Sequence, residues 1–329
     1  MPDSALLEIS NLHVTFAVGR RRIPAVQGVS LSLRSGGVLG LVGESGCGKS
    51  VTSLAVMALL EKDTASVEGS VRLEERELIG LPYKEMNRLR GSRMSMVFQE
   101  PMTCLNPVLT IGQQIEEVLQ VHQNLTKRGA RDLCVRMLAK VGLPDPERVA
   151  KSYPHRLSGG QRQRAMIASA LCCKPVLLIA DEPTTALDVT VQSQVLALLQ
   201  ELQSELGTAI LFISHDLGVI AQMADRVAVM YAGRVVEQGS TAELYANPLH
   251  PYTRGLLASR TRLDDLGSSA GRRLPSIQGN VPSPDQLPEG CSFGPRCQYC
   301  DGRCQRGMPE LTDEGEGHLV RCIRAREIA

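Results

Sequence analysis

The sequence has 329 residues but lacks any apolar run long enough to cross a bilayer. No uninterrupted stretch approaches the roughly 18–20 residues that a membrane-spanning helix needs. Residues 1–4 also lack the basic segment, followed by an apolar one, that marks a secretory signal. We therefore expect a chain that stays in the cytosol. Internal repeats and long low-complexity tracts are missing as well, which excludes a repeat architecture.

A strong net charge is the second missing feature. Lys and Arg together number 36 and Asp and Glu 35, which leaves a formal net charge of +1. No broad electrostatic field attracts a polyanion, so we expect no nucleic-acid partner. What the chain does have is a hydrophobic content of 43%, enough for a sizeable core, and a length that suggests about two domains.

Short apolar runs alternate with stretches of helical periodicity along much of the chain. Compact apolar runs are typical of buried parallel strands. They lie at residues 38–42, 176–180, 210–213 and 227–230, and helical stretches include residues 50–60 and 191–206. This alternation predicts an α/β fold. Residues 6–16 and 25–33 instead alternate apolar and polar side chains, which predicts half-buried strands of an antiparallel β subdomain.

Composition divides the chain further. Residues 105–170 have helical patterning without strand signals, which predicts a helical subdomain inside a main domain of residues 1–262. Residues 263–290 are rich in Gly, Ser and Pro and predict an extended linker. Residues 291–329 contain five of the ten cysteines and predict a small cysteine-rich C-terminal module.

A glycine-rich motif follows the first predicted parallel strand. It fits the pattern G-x4-G-K-S and comprises Gly43, Glu44, Ser45, Gly46, Cys47, Gly48, Lys49 and Ser50, with Val51 continuing the predicted helix. Its backbone amides can turn towards phosphate oxygens, and the helix N-terminus adds partial positive charge. We expect Lys49 to reach the β- and γ-phosphates of ATP and the Ser50 hydroxyl to take a Mg²⁺ position. The motif therefore predicts ATP binding.

An acidic pair ends the predicted strand at residues 176–180. Asp181 and Glu182 then lie at the carboxyl end of a buried strand, where open α/β sheets bind their ligands. Asp181 suits the Mg²⁺ shell, and Glu182 is placed to polarise an attacking water. The alternative is that both residues simply end a strand in solvent. The glycine-rich motif upstream favours the catalytic interpretation.

The most discriminating string is Leu-Ser-Gly-Gly-Gln, which lies upstream of that acidic pair. It contains Ser158, Gly159, Gly160 and Gln161 and resembles the signature motif of ABC-type ATPases. Further positions resemble other elements of that family: Phe16 the aromatic residue that stacks on adenine, Gln99 the Q-loop, Asp188 the D-loop and His215 the switch histidine. The resemblance covers roughly residues 6–240 and implies a P-loop NTPase of the ABC-type nucleotide-binding class.

The resemblance also implies how the site works. In this family the signature of one subunit closes over the phosphate loop of another, so ATP is hydrolysed at a dimer interface that one chain cannot complete. The implied catalytic residues are Glu182, His215 and Gln99, and the implied Mg²⁺ contacts are Ser50, Gln99 and Asp181. The hydroxyl of Ser158 and the glycine amides after it suit a γ-phosphate. The alternative role of Ser158 is that of a helix N-cap alone.

Three further strings narrow the resemblance to one branch of the family. Residues 98–107, 153–158 and 247–253 are similar to segments of the ATPases that serve oligopeptide, dipeptide and nickel importers. Glu100 and Cys104 depart from the usual aspartate and serine. This branch implies a second ABC ATPase subunit, commonly a related chain, with two transmembrane permease subunits and, indirectly, an extracytoplasmic solute-binding protein. The chain would lie peripherally on the cytoplasmic face of the inner membrane.

A second class of function is a soluble ABC ATPase that acts in DNA repair, translation or cluster assembly. Repair types carry large insertions within the cassette, and translation types carry two cassettes on one chain. This sequence has neither feature. The strings that resemble importer subunits therefore favour transport.

The ten cysteines are many for a cytosolic chain. Cys291, Cys297, Cys304 and Cys322 match the spacing of the C-terminal extension in the peptide-importer branch. The resemblance implies that these four thiolates hold a 4Fe-4S cluster, which would supply folding energy to a tail rich in Pro and Gly. Cys300 is surplus, and it forms a C-x2-C pair with Cys297 that also suits zinc. Zinc and free or oxidisable thiols are the alternatives, and a redox-responsive regulatory role of this module can coexist with transport.

Overall fold

The computed structural model describes residues 5–100, 104–185, 187–259 and 277–328. The strands are β1 (Ala5–Val18), β2 (Arg21–Arg34), β3 (Val38–Val42), β4 (Ala65–Leu73), β5 (Arg76–Glu77), β6 (Met94–Val97), β7 (Leu177–Asp181), β8 (Ala209–Ser214), β9 (Arg226–Tyr231), β10 (Arg234–Ser240), β11 (Thr312–Asp313) and β12 (Leu319–Val320). The helices are α1 (Lys49–Val56), α2 (Tyr83–Leu89), α3 (Ile111–Gln123), α4 (Lys127–Lys140), α5 (Pro146–Ala150), α6 (Gly159–Leu171), α7 (Val189–Leu206), α8 (Leu217–Met223), α9 (Thr241–Ala246), α10 (Pro251–Ala258) and α11 (Ala325–Ile328). Residues 263–276 of the predicted linker lie outside the described residues.

Eight strands form the main sheet, in the order β11-β12-β10-β9-β3-β8-β7-β6. The five strands from β9 to β6 run parallel, and β10, β12 and β11 continue the sheet in antiparallel pairs. Every residue of β3 is buried, because Val38 and Val42 face one hydrophobic cluster while Leu39 and Leu41 face another. The predicted parallel strands and the α/β fold are confirmed. Their carboxyl ends meet at the sheet edge where α/β proteins bind ligands.

A second, antiparallel sheet has the strand order β2-β1-β4-β5. In β1 the side chains of Leu7, Ile9, Leu12 and Val14 all enter the same hydrophobic cluster. The pairing register breaks between Ile9 and Leu12, where Asn11 has a φ of 49°. This break shifts by one residue the alternation of side chains between the two faces of the sheet. The bulge keeps the apolar side chains on one face, and the two predicted half-buried strands are confirmed.

Residues 104–171 contain the α-helices α3 to α6 and a short 3-10 helix at Pro154–Arg156, and no strand. Each α-helix begins at a residue whose side chain caps it: Thr110, Thr126, Asp145 and Ser158. Their apolar residues pack into the larger hydrophobic cluster, which also receives one face of the main sheet. The predicted helical content of this segment is confirmed, and its boundary as a separate subdomain stays a prediction.

Helix α1 is shorter than predicted, because it ends at Val56 rather than at residue 60. Ala58 adopts a left-handed φ of 50°, and the Leu59 N–H donates to the Leu54 carbonyl at 2.8 Å. This is a Schellman-type turn, in which glycine usually takes the left-handed position. Alanine occupies it here, so the sequence carries no signal for the end of the helix.

The C-terminal residues are attached to the main body of the protein. Residues 277–290 form neither helix nor strand, as expected of an extended connection, yet Ile277, Val281 and Leu287 pack against the larger cluster. Strand β12 pairs with β10, where Val320 lies opposite Glu237. A two-residue strand has no periodicity, so this pairing could not be predicted from the sequence. Among the described residues, no helix has both the length and the apolar character of a membrane span.

Candidate nucleotide site

The glycine-rich motif forms the turn from β3 into α1, at the edge where the parallel strands end. Gly43 has a φ of 157°, and a Cβ there would lie 2.2 Å from the Met230 carbonyl oxygen. Gly48 has a φ of 102°, and a Cβ there would lie 2.7 Å from the Ala25 carbonyl oxygen. Both positions require glycine because the loop packs directly on neighbouring backbone. The strand, the turn and the helix have the arrangement that phosphate loops require.

The Lys49 side chain is held inside this turn. It is 4% exposed, and its Nζ donates to the carbonyl oxygens of Gly43 at 2.7 Å and Glu44 at 3.1 Å. These bonds position the ammonium at the loop that would receive the phosphates. The Cys47 thiol is fully buried in the same turn, and burial raises its pKa. Only the backbone of Cys47 can therefore face a bound phosphate.

Ser50 and Asp181 meet beside the phosphate loop. The Ser50 hydroxyl donates to Asp181 Oδ1 at 3.1 Å, and Asp181 is only 5% exposed. Burial raises the pKa of this carboxyl group, and the bond from Ser50 opposes that change. A nearby cation would stabilise the charged carboxylate. Mg²⁺ prefers oxygen ligands and takes the rest of its shell from water and phosphate, so the pair fits this ion.

Three side chains converge on one oxygen of Glu182. Its Oε2 accepts from Gln99 Nε2 at 3.0 Å and from Thr185 Oγ1 at 2.9 Å, and it lies 3.1 Å from His215 Nδ1. The Glu182 side chain is 13% exposed, whereas that of His215 is 60% exposed. The structure thus brings together Gln99, Glu182 and His215, each of which follows a parallel strand. Thr185 joins them, although no motif had indicated it.

The backbone of Glu182 is strained. Its φ is 47°, in the left-handed region that residues other than glycine seldom adopt. The Glu182 N–H donates to the Ile213 carbonyl at 2.9 Å, which holds this conformation at the end of β7. Such strain costs on the order of 1–3 kcal/mol and tends to occur at functional sites. The conformation places the carboxylate where Gln99 and His215 can reach it.

The signature residues lie at the start of α6. Ser158 Oγ accepts from Gln161 N–H at 3.3 Å, and Gln161 Oε1 accepts from Ser158 N–H at 3.1 Å, which is a capping box. Ser158 and Gly159 are exposed, and Gly160 is half-buried. The helix N-terminus is therefore open to a ligand from outside this chain. Asp188 likewise caps a helix, since it accepts from Val191 N–H at 2.9 Å at the start of α7.

The remaining predicted nucleotide contacts lie around the same loop. Phe16 of β1 and Val51 of α1 are half-buried and pack against the cluster that contains Cys47. Ser45 and Gly46 are the exposed residues of the loop. These positions leave the outer face of the loop accessible to a nucleotide.

Glu44 is held by residues from outside the motif. Its N–H donates to the Tyr252 hydroxyl at 2.8 Å, and its carboxylate pairs with Arg296 at 2.7 Å. Tyr252 is fully buried and packs edge-on against Tyr231, with ring centroids 4.7 Å apart. Only the importer-like string at residues 247–253 indicated Tyr252, and no motif indicated Arg296.

The five C-terminal cysteines come together. Cys291, Cys297, Cys300, Cys304 and Cys322 line one small cavity. Burial raises the pKa of Cys291 to about 11 and also raises the pKa values of Cys297, Cys300 and Cys322. Within the part of the chain that the structure describes, no three His, Cys, Asp or Glu side chains form a group that could hold a metal ion. The five cysteines therefore line a common cavity without forming a preformed metal-binding group.

The fold and the site define a P-loop ATPase, and two family models identify its kind. A model described as "ABC transporter" matches residues 26–185. A second, described as "Oligopeptide/dipeptide transporter, C-terminal region", matches residues 236–304. The first range contains the phosphate loop, the signature and the acidic pair, and the second contains Tyr252, Arg296 and four of the clustered cysteines.

Curated relatives are similar over nearly the whole chain. The oligopeptide transport ATP-binding protein AppD of Bacillus subtilis (strain 168) is 49% identical over 325 residues, which cover 98% of each chain. The oligopeptide transport ATP-binding protein OppD of Salmonella typhimurium (strain LT2) is 47% identical, covering 99% of this chain and 96% of its own. This chain therefore belongs to the ABC transporter family, as an ATP-hydrolysing subunit, and the resemblance seen in the sequence motifs is confirmed.

Solved structures agree on the fold. The dimeric, ADP- and phosphate-bound structure of the ATP-binding cassette MJ0796 is 28% identical, with a TM-score of 0.65, and covers 71% of this chain and 98% of its own. The cbiO1 protein of Clostridium perfringens, part of the transporter complex cbiONQ, is 27% identical with a TM-score of 0.63 and covers 80% of this chain. The ABC ATPase fold predicted from the sequence is confirmed.

Proposed function

We propose that this ATPase drives the uptake of peptides, or of a chemically related solute, through separate membrane subunits. The relatives AppD and OppD, at 47–49% identity, are named oligopeptide transport ATP-binding proteins. The observation that carries the proposal is the contact between Gln99 and Glu182. Gln99 lies on the segment between β6 and the helices α3 to α6, so it can relay the state of the site to that segment. A subunit that couples hydrolysis to a membrane partner needs such a relay.

Each residue of the site then has a chemical role. The backbone of residues 43–51 and Lys49 bind the phosphates, and Phe16 stacks on adenine. Ser50, Asp181 and Gln99 would hold Mg²⁺, whose charge would stabilise the transferring phosphoryl group. Glu182 orients the attacking water and accepts its proton, and His215 senses the γ-phosphate. The strained backbone and the three hydrogen bonds of Glu182 support its placement in this role.

The signature completes the site of another chain. Ser158 and the amides of Gly159 and Gly160 contact the γ-phosphate held by a partner's phosphate loop, with Gln161 and Asp188 at the same interface. The open N-terminus of α6 supports this role, because exposed amides at a helix start bind anions. The similarity to a dimeric cassette is consistent with it. The partner is a second ABC ATPase subunit, a related chain.

The assembly also contains two transmembrane permease subunits, and an extracytoplasmic solute-binding protein delivers the solute. The chain itself lies peripherally on the cytoplasmic face of the inner membrane. The relatives named above are transport proteins, and nothing favours a soluble ABC ATPase of DNA repair, translation or cluster assembly.

Uptake into vesicles tests this function. The chain, the second ATPase subunit and both permease subunits are reconstituted in proteoliposomes with ATP, and the binding protein and a labelled oligopeptide are added at the opposite face. We expect peptide uptake that stops when ADP replaces ATP or when Glu182→Gln replaces the wild-type chain. Stable association with ribosomes or DNA, without ATP-dependent uptake, would contradict the proposal.

We further propose that Cys291, Cys297, Cys304 and Cys322 hold a 4Fe-4S cluster. Their convergence on one cavity supports this, because a 4Fe-4S cluster is held by four cysteine thiolates. Burial raises the pKa values of Cys291, Cys297 and Cys322, and coordination would keep these thiols deprotonated. The cluster would cross-link a segment that has little regular structure.

Metal and sulfide analysis of anaerobically purified protein tests the cluster. We expect a brown protein that contains iron and acid-labile sulfide in equal amounts and that loses both in Cys297→Ser. Cys300→Ser is the matched control and should keep the iron. A colourless protein with stoichiometric zinc would contradict the assignment.

A further inference from the structure

A partly buried ion pair joins the cysteine-rich segment to the phosphate loop. Arg296 lies next to Cys297, and its side chain is 6% exposed. It donates through Nη1 to Glu44 Oε2 at 2.7 Å and through Nη2 to Glu44 Oε1 at 3.1 Å. Two parallel bonds of this kind fix the relative orientation of guanidinium and carboxylate. The second residue of the phosphate loop is therefore held by a residue 252 positions away.

Arg296 is itself fixed in place on all sides. Its Nε donates to the Gln278 carbonyl at 2.9 Å, and Nη2 donates to the Ile277 carbonyl at 3.4 Å. The guanidinium carbon lies 5.8 Å from the ring centroid of Tyr231 and 5.9 Å from that of Phe293, within the range of cation–π attraction. A long side chain so constrained loses little further entropy when it holds Glu44.

Glu44 in turn touches the groups that bind phosphate. Its carbonyl oxygen accepts from Lys49 Nζ at 3.1 Å, and its N–H donates to the Tyr252 hydroxyl at 2.8 Å. The Glu44 carboxylate also brings a negative charge to a loop that receives a polyanion. Pairing with Arg296 neutralises that charge and fixes the residue that positions Lys49.

We infer that Arg296 is a positioning residue of the nucleotide site, through which the cysteine-rich segment sets the affinity for ATP. This inference rests on the proposed role of residues 43–50 as the phosphate loop. Arg296 itself touches Glu44 and not the reacting atoms. Because it immediately precedes Cys297, which lines the cysteine cavity, any change that displaces this turn also displaces the arginine. Coupling of this kind is reciprocal, so nucleotide binding must also stabilise the cysteine-rich segment.

Nucleotide affinity is measured with a fluorescent ATP analogue on the full chain. Arg296→Ala should weaken binding roughly tenfold, because a partly buried charge-assisted contact is lost and Glu44 is left unpaired. Arg296→Lys should fall between Arg296→Ala and wild type, since it keeps the charge without the paired bonds. The double variant Arg296→Ala/Glu44→Gln should bind more tightly than Arg296→Ala, because the unpaired negative charge is removed.

Two further variants distinguish a wrong coupling through Arg296 from a wrong assignment of the phosphate loop. Arg303→Ala is the matched control, because Arg303 forms a similar two-bond pair with Glu327, at 2.7 and 2.8 Å, within the C-terminal segment. It should leave ATP affinity unchanged. Lys49→Ala should weaken binding in every background. If Lys49→Ala binds normally, the proposed phosphate loop is wrong; if it binds weakly while Arg296→Ala matches wild type, only the coupling is wrong.

Turnover and hydrogen exchange give independent readouts. In the reconstituted complex, Arg296→Ala should raise KM for ATP and leave kcat at saturating ATP nearly unchanged. In wild type, ADP should slow amide exchange in peptides spanning residues 291–304, and Arg296→Ala should abolish that protection. The inference would be overturned if Arg296→Ala and Arg303→Ala lost ATP affinity equally. It would also be overturned if ADP still protected residues 291–304 from amide exchange in Arg296→Ala. If Arg296→Ala does not fold, unchanged affinity in Arg296→Gln would overturn it instead.

Discussion

At the scale of single residues, the site concentrates its contacts on Glu182. One oxygen of this carboxylate meets an amide, a hydroxyl and an imidazole, each from a different position along the chain. Gln99 follows β6, and His215 follows β8. A change at either side chain therefore acts on the same carboxylate. This arrangement can link hydrolysis to movement of the segments that carry Gln99 and His215.

Replacing Glu182 by glutamine separates binding from hydrolysis. Glu182→Gln removes the proposed base that orients water, so we expect phosphate release to fall by about 10²–10⁴-fold. The affinity for ATP should not change, since the phosphate loop is intact. Phosphate release and analogue binding are measured on the same preparation. Glu201→Gln, an exposed position on α7, is the control, and normal turnover in Glu182→Gln would be fatal to the proposed role.

Most of the site residues could be predicted because each one follows a recognisable strand or belongs to a dense motif. The phosphate loop, Asp181 and Glu182 were found in this way. Thr185 and Arg296 were not, because a threonine in a turn and an arginine in a loop match no pattern. Their roles depend on which groups the fold brings beside them.

Among the elements of the fold, the start of α6 has a structural role and, we propose, a chemical one. Ser158 caps the helix by accepting from the Gln161 N–H at 3.3 Å. A serine that only capped the helix could be exchanged for another good cap without loss of activity. A serine that also receives a partner's γ-phosphate could not.

Two substitutions at Ser158 distinguish these roles. Ser158→Ala removes the cap and should lower the free energy of unfolding by about 1 kcal/mol. Ser158→Asp keeps a good cap, so stability should be preserved, yet its negative charge should repel the γ-phosphate and abolish hydrolysis. Thermal unfolding and phosphate release are compared for both variants. Full activity in Ser158→Asp would show that the residue is only a cap.

Helices and strands with a clear hydrophobic pattern could be predicted from the sequence, whereas irregular helix ends and very short strands could not. The buried parallel strands were found because continuous apolar runs mark them. The end of α1 at Val56 was missed because Ala58, rather than glycine, takes the left-handed position. The pairing of β12 with β10 was missed because two residues cannot show alternation.

At the scale of the whole molecule, the C-terminal segment is tied to the ATPase body at a second place besides Arg296. Glu237 of β10 is fully buried and accepts from the backbone N–H groups of Leu249 at 2.7 Å and His250 at 2.9 Å. Its Oε1 also lies 2.8 Å from His318 Nε2, on the C-terminal hairpin. The hydrogen bond to Glu237 raises the pKa of His318, burial opposes this, and Glu243 and Asp313 add to the increase.

This pair predicts a pH-dependent stability. A histidine with a raised pKa in the folded state stabilises the protein fully below its unfolded pKa of about 6.5, and the contribution disappears as pH rises through the folded value. His318→Gln should therefore lower the free energy of unfolding by about 1.5–3 kcal/mol at pH 6 and by less at pH 9. Denaturant unfolding at both pH values measures this. The exposed pair of His13 and Asn11 supplies the control His13→Gln, and an equal loss at both pH values would contradict the ion pair.

We propose above all that one chain supplies only part of each ATP site. The test measures ATP turnover per chain over a dilution series at saturating Mg²⁺ and ATP. Sedimentation identifies the concentrations at which the protein is monomeric. We expect the monomer to bind ATP without hydrolysing it. Turnover per chain should appear only as dimers form or as the second ATPase subunit is added. Turnover by the monomer that does not change with dilution would contradict the shared site.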